Sequence, residues 1–108
     1  SLGARIKAHL RSLPPAHWPD VEALAGHFHM APSTLRRKLS LQGQSYQGLK
    51  DQVRRDLAIA CLDGDSGNFS DLAFELGFAD TSAFYKAFKK WTGSTPGQYR
   101  ALSHPESA

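Results

Sequence analysis

The sequence predicts an all-α fold of seven helices, in which one plan, two short helices about a turn, occurs twice. Three observations predict it. Apolar residues recur at intervals of three and four along most of the chain, the period of a helix with one buried face. The breaks in that period fall on helix-stopping residues, at Pro14-Pro15, Gly43, Gly77 and Gly93. Finally, the chain aligns with itself. Setting Leu24-Ala25 on Leu72-Ala73 pairs Asp20 with Asn68, Val21 with Phe69, Phe28 with Leu76 and Met30 with Phe78. After one extra residue in the second turn, Leu35 meets Phe84, Arg37 meets Lys86, Leu39 meets Phe88, and Gly43 falls near Gly93.

Each element follows in order. Leu2, Ile6, Leu10 and Leu13 form one stripe of a first helix, a brace, which the two prolines must end. Asp20 is placed to cap a second helix whose inner face is Val21, Leu24, Ala25 and Phe28. His29-Met30-Ala31 is its turn. Pro32 suits the first position of a third helix with Leu35 and Leu39 inward, although Ala31 brings no side-chain oxygen to cap it. A linker helix over residues 45–63 carries a stripe of Tyr46, Leu49, Val53, Leu57, Ala60 and Cys61, on which Cys61 reads as a small buried thiol. Residues 64–67, rich in Gly, Asp and Ser, form a linker loop. Asn68 with Asp71 caps the fifth helix, Gly77-Phe78-Ala79 turns it, and Phe84 and Phe88 face inward from the sixth. Thr95-Pro96-Gly97-Gln98 has the form of a capping box, opening a last helix through Tyr99 and Leu102. The expected subdomains are residues 1–44 and 64–103. Trp18, Phe69, Phe74, Phe78, Phe84, Phe88 and Trp91 have the helical spacing of core or core-edge aromatics.

Composition narrows the function. No apolar run is long enough for a membrane span, and a single cysteine cannot form an internal disulfide, which fits a reducing cytoplasm. No nucleotide-binding glycine loop, nucleophile-base set or metal-ligand spacing is present, so neither catalysis nor a cofactor is expected. His27 and His29, two apart on a helix, point in different directions, and His9, His17 and His104 read as surface residues. The chain begins at Ser1 without Met, so it is expected to be a fragment of something longer.

The net charge of +3 is modest but segregated. No acid occurs from Ala23 to Lys50, where Arg36, Arg37, Lys38 and Lys50 lie, or from Thr81 to Pro105, where Lys86, Lys89, Lys90 and Arg100 lie. Both basic runs cover the second helix of a repeated unit, as a polyanion partner requires. The outward residues are Ser33, Thr34, Arg36, Arg37 and Ser40 in one unit, and Thr81, Ser82, Tyr85, Lys86 and Lys89 in the other. Arginine can pair with guanine through two hydrogen bonds, and Ser, Thr and Tyr can meet base edges or phosphates, so the pattern is that of a helix-turn-helix reading double-stranded DNA. A linker helix of about 19 residues spans roughly 28 Å, near one DNA turn of about 34 Å. Arg54 and Arg55 fit either phosphate contact or ion pairs with Asp51 and Asp56.

The segment DLAFELGFADTSAFYKAFKKWTGSTPGQYR resembles the signature of the AraC/XylS family of bacterial transcription regulators, at Ala73, Gly77-Phe78, Ser82, Phe84, Phe88, Lys89, Gly93, Pro96 and Tyr99-Arg100. LRRKLSLQGQSYQGLKDQVRRDLAIACL is similar to the family's first unit and linker helix. The resemblance implies a homeodomain-like DNA-binding domain over residues 1–108, in a cytoplasmic, nucleoid-associated activator that contacts promoter DNA and RNA polymerase. It implies a domain monomeric alone, with any dimerisation or effector domain outside the chain. Base contacts are implied at Ser33, Arg36, Arg37, Ser82, Tyr85 and Lys86. Phosphate contacts are expected at Thr34, Ser40, Lys50, Lys89, Lys90 and Arg100. Lys86 departs from the arginine frequent in the family and lacks the fork that recognises guanine, so it is as fit to hold a phosphate. Leu39 to Gly43 is one residue shorter than in some members. A helical protein-interaction module and the DNA-targeting part of an enzyme remain the alternatives.

Overall fold

The computed structural model describes residues 1–63 and 68–103; the expected 64–67 loop, His104 and the chain end lie outside the described residues. The chain forms two compact units that divide between Val53 and Arg54. Among the described residues there are seven α-helices, one 3-10 turn at Pro15–His17, and no strand.

The first unit holds α1 (Leu2–Arg11), α2 (Val21–His27), α3 (Pro32–Leu41) and the first half of α4 (Tyr46–Asp63). Its buried side chains are Ile6 and Leu10 of α1, Leu24 and Ala25 of α2, Leu35 and Leu39 of α3, and Leu49 and Val53 of α4. Trp18 ties the α1 exit down, its Nε1 donating to the carbonyls of Leu10 at 2.9 Å and Leu13 at 3.3 Å. The Tyr46 hydroxyl donates to the Pro19 carbonyl at 2.6 Å, fixing the start of α4 against the approach to α2.

The second unit holds the rest of α4, α5 (Phe69–Glu75), α6 (Thr81–Thr92) and α7 (Pro96–Ser103). Ala58, Leu62, Leu72, Ala73, Leu76, Phe84 and Phe88 make its core, edged by Phe69, Phe78, Trp91 and Tyr99. Full burial of a side chain the size of Phe84 or Phe88 contributes about 1.5–3 kcal/mol.

The caps follow the sequence closely. Asp20 accepts from the Ala23 amide at 2.8 Å and Asn68 from the Asp71 amide at 2.7 Å. Thr95 and Gln98 cap each other, at 3.1 and 3.0 Å. Ala31 supplies no side-chain cap to α3, whereas Asp80, at which no cap is expected above, caps α6 through the Ala83 amide at 2.8 Å. The two turns close the preceding helix in the same way, although the second is one residue longer. Met30 N donates to Ala25 O at 2.9 Å, and the aligned Phe78 N donates to Ala73 O at 3.0 Å. This six-to-one bond closes a helix through a left-handed residue, which is His29 at φ 58° in one turn and Gly77 at φ 88° in the other.

Three expectations are corrected. Cys61 is exposed, and so is Ala60. The expected stripe fails because Leu49 and Val53 are buried in the first unit, while in the second the buried residues of α4 are Ala58 and Leu62 rather than Ala60 and Cys61. Phe74 is 77% exposed, since Leu72, Ala73 and Leu76 already fill the inward arc of α5. His9 is not a plain surface residue. Its ring stacks on His27, with centroids 3.9 Å apart and planes 16° off parallel.

Candidate nucleic-acid interface

The inward residues fix where the others point. With Leu35 and Leu39 buried, about 100° per residue puts Ser33, Arg36, Arg37 and Ser40 within one arc on the far side of α3, and all four are exposed. With Phe84 and Phe88 buried, the same arithmetic puts Ser82, Tyr85, Lys86 and Lys89 in one exposed arc of α6. The two arcs correspond position by position in the internal repeat. Neither α3 nor α6 contains an acidic residue, while Asp71 and Glu75 lie exposed on α5. Each arc is therefore a cationic strip with hydroxyl groups among the charges.

Surroundings differ in detail. Thr34 and Lys38 fall to the side of the α3 arc, and Thr34 is half-buried. Arg36 and Ser40 also border a pocket of about 390 Å³ with Val21, Leu39, Gln44, Ser45, Tyr46 and Gln47. Ser45 caps α4 there, accepting from the Gly48 amide at 3.0 Å. In the second unit the Tyr85 ring lies edge-on to Phe69 and Phe84, at 5.8 and 6.0 Å, so a partly exposed aromatic is held in one orientation. Lys89 and Lys90 lie exposed in the last turn of α6.

Two expected phosphate ligands have intramolecular partners. The Lys50 ammonium stands 4.7 Å from the centroid of the Tyr46 ring, and the Arg100 guanidinium 4.6 Å from that of Phe69. Such cation–π contacts fix the direction of a long side chain. The Arg100 Nε is buried without a hydrogen-bond partner.

Other residues resolve into structural roles. Arg55 pairs with its neighbour Asp56 at 3.9 Å, both half-exposed, a contact of little energetic weight. Arg54 instead reaches the turn of its own unit, Nε donating to the Leu76 carbonyl at 3.1 Å. The His9 imidazole is held below its ordinary value by burial first and by the charge of His27 second. Phe28 stands edge-on to both histidines, at 6.1 and 5.0 Å. Sequence spacing misses this stack because His9 and His27 come from different helices. Among the described residues no three His, Cys, Asp or Glu side chains gather as a metal site, and no helix is long and apolar enough to cross a membrane.

Comparison with known proteins shows the family. A family model described as a helix-turn-helix domain matches residues 24–102. The ornithine utilization regulator of Pseudomonas aeruginosa is 42% identical over 86 residues, covering 80% of this chain and 25% of that protein. The urease operon transcriptional activator of Escherichia coli is 30% identical over 95 residues, covering 88% of this chain and 32% of that one. The crystal structure of the transcriptional regulator CdpR from Pseudomonas aeruginosa superposes with a TM-score of 0.83 at 35% identity, over 91% of this chain and 31% of that one. The chain thus spans about a quarter to a third of the length of these relatives. It belongs to the AraC-type family of helix-turn-helix, DNA-binding domains found in transcriptional regulators.

Proposed function

We propose that this domain binds double-stranded DNA sequence-specifically through two reading helices, α3 and α6, each entering a major groove. The observation that carries this reading is the repeated arc: Ser33, Arg36, Arg37 and Ser40 on α3, and Ser82, Tyr85, Lys86 and Lys89 on α6, both cationic, exposed and set opposite buried anchors. Ser33, Arg36 and Arg37 read bases in one groove, and Ser82, Tyr85 and Lys86 in the other. Thr34, Ser40, Lys50, Lys89, Lys90 and Arg100 hold phosphates, with Lys50 and Arg100 aimed by the rings of Tyr46 and Phe69. Phosphate contacts set register and affinity, and base contacts set preference. Two reading helices in successive grooves would contact sites about one DNA turn apart.

In the whole protein this domain serves a cytoplasmic, nucleoid-associated activator that contacts RNA polymerase; the Escherichia coli relative named an activator supports that sign of regulation. The domain acts as a monomer by itself, and dimerisation or effector binding belongs to the remainder of the protein. Selection of bound duplexes from a random library tests the DNA reading. Two enriched blocks are expected in the selected pool, and an unenriched pool would refute it.

A further inference from the structure

We infer that Arg54 is a positioning residue for the second reading helix, acting on α6 through the turn between α5 and α6. The inference rests on the reading of α6 proposed above. Leu76 ends α5, is 3% exposed, and carries one of the terminal carbonyls that a helix leaves without an internal partner. The Arg54 Nε donates to that carbonyl at 3.1 Å. The same guanidinium lies 5.5 Å from the centroid of the Phe78 ring, two residues further on. Phe78 in turn packs on α6, its ring 5.7 Å from Phe84 and 6.0 Å from Trp91. One side chain from α4 thus grips the turn at Leu76 and at Phe78, on either side of Gly77, and the second grip leads directly to the buried face of α6.

The turn needs an external hold because its middle residue is Gly77, left-handed at φ 88° and the residue type with the widest range of backbone conformations. Unit 1 holds a partial parallel, a ring contact without the carbonyl hydrogen bond. Arg5, from the helix that precedes the repeated pair, lies 5.2 Å over the ring of Phe28, the C-cap of α2 and the counterpart of Leu76. Each unit receives an arginine from its preceding helix at the turn that sets its reading helix. On this inference Arg54 acts within the protein and its removal leaves the phosphate contacts as they are. Its geometry uses a planar, stacking, hydrogen-bonding cation, which lysine reproduces only in charge.

The test uses the whole chain with a selected duplex and an unrelated one, for wild type, Arg54→Ala and Arg54→Lys, with circular dichroism to confirm folding. Arg54→Ala is expected to cut affinity for the selected duplex at least tenfold while the unrelated duplex and the salt slope are unchanged, and Arg54→Lys to fall between. A slope reduced by about 0.9 would make Arg54 a phosphate contact and overturn the inference. An unchanged ratio between the two duplexes would leave Arg54 a purely structural residue and overturn the inference as well. Amide exchange at Gly77 and Phe78 in the free domain is the independent readout: it should quicken in Arg54→Lys even if Arg54→Ala fails to fold, and unaltered exchange would overturn the clamp. If the wild type itself distinguishes no duplex, the DNA reading of α6 fails, and the exchange rates still decide the clamp.

Discussion

His29 and Gly77 hold equivalent places in the two turns and share one backbone conformation, at φ 58° and 88°. A Cβ in the left-handed region costs roughly 1–2 kcal/mol, and glycine avoids it at some cost in chain entropy. His29→Gly is therefore expected to stabilise the first unit by about 0.5–1 kcal/mol. Gly77→Ala should destabilise the second by about 1 kcal/mol. Urea unfolding followed by tryptophan fluorescence separates the units, because Trp18 reports on the first and Trp91 on the second.

The reading helices differ at their starts: the Asp80 side chain caps α6, and no side chain caps α3. Asp80→Ala should lower the stability reported by Trp91 by about 1 kcal/mol, and Ala31→Asp should raise that reported by Trp18 by a similar or smaller amount. The same urea curves read both, and a gain from Asp80→Ala would show that its hydrogen bond does not hold the helix.

Acid should loosen the first unit at the His9–His27 stack. The folded state holds the His9 pKa below its ordinary 6.5, so it favours the neutral ring. Its contribution is present above pH 6.5 and is lost as pH falls through that value towards the lower folded pKa. The urea midpoint of the Trp18 signal is expected to drop between pH 7.5 and 5.5 in wild type, and to drop less in His9→Phe, which keeps a ring without a titrating group. Equal drops in both would place the pH dependence elsewhere.

Base readers and phosphate holders separate by specificity and by salt. Arg36→Ala and Arg37→Ala should each relax preference at one base pair, with a loss of about 1–3 kcal/mol on the selected duplex. Lys89→Ala should weaken every duplex alike and reduce the salt slope by about 0.9. Competition binding over a panel of single-base variants, repeated at two salt concentrations, reads both effects; a base-specific loss for Lys89→Ala would exchange the roles.

Much of this was legible in the sequence for a physical reason. Helix period, cap chemistry and the internal repeat are local, and Asp20, Asn68 and the Thr95–Gln98 pair appear as the sequence implies. The arcs on α3 and α6 follow from the same locality, since Leu35, Leu39, Phe84 and Phe88 fix the opposite face. What failed depended on which core an element serves. Cys61 and Ala60 sit on a stripe that is continuous in sequence, but α4 hands over from one core to the other between Val53 and Ala58. Phe74 shows the complementary error, an aromatic assigned by helical spacing to the core or its edge although Leu72, Ala73 and Leu76 had filled the inward arc. The His9–His27 stack and the Arg54 grip on Leu76 join residues distant in sequence, and no local pattern announces either.

Two readers in one chain is the claim most exposed to a single measurement, a hydroxyl-radical footprint of the domain on its selected duplex. Two protected tracts on one face of the DNA, centred about 10–10.5 base pairs apart, are predicted. A single tract the width of one groove would contradict it.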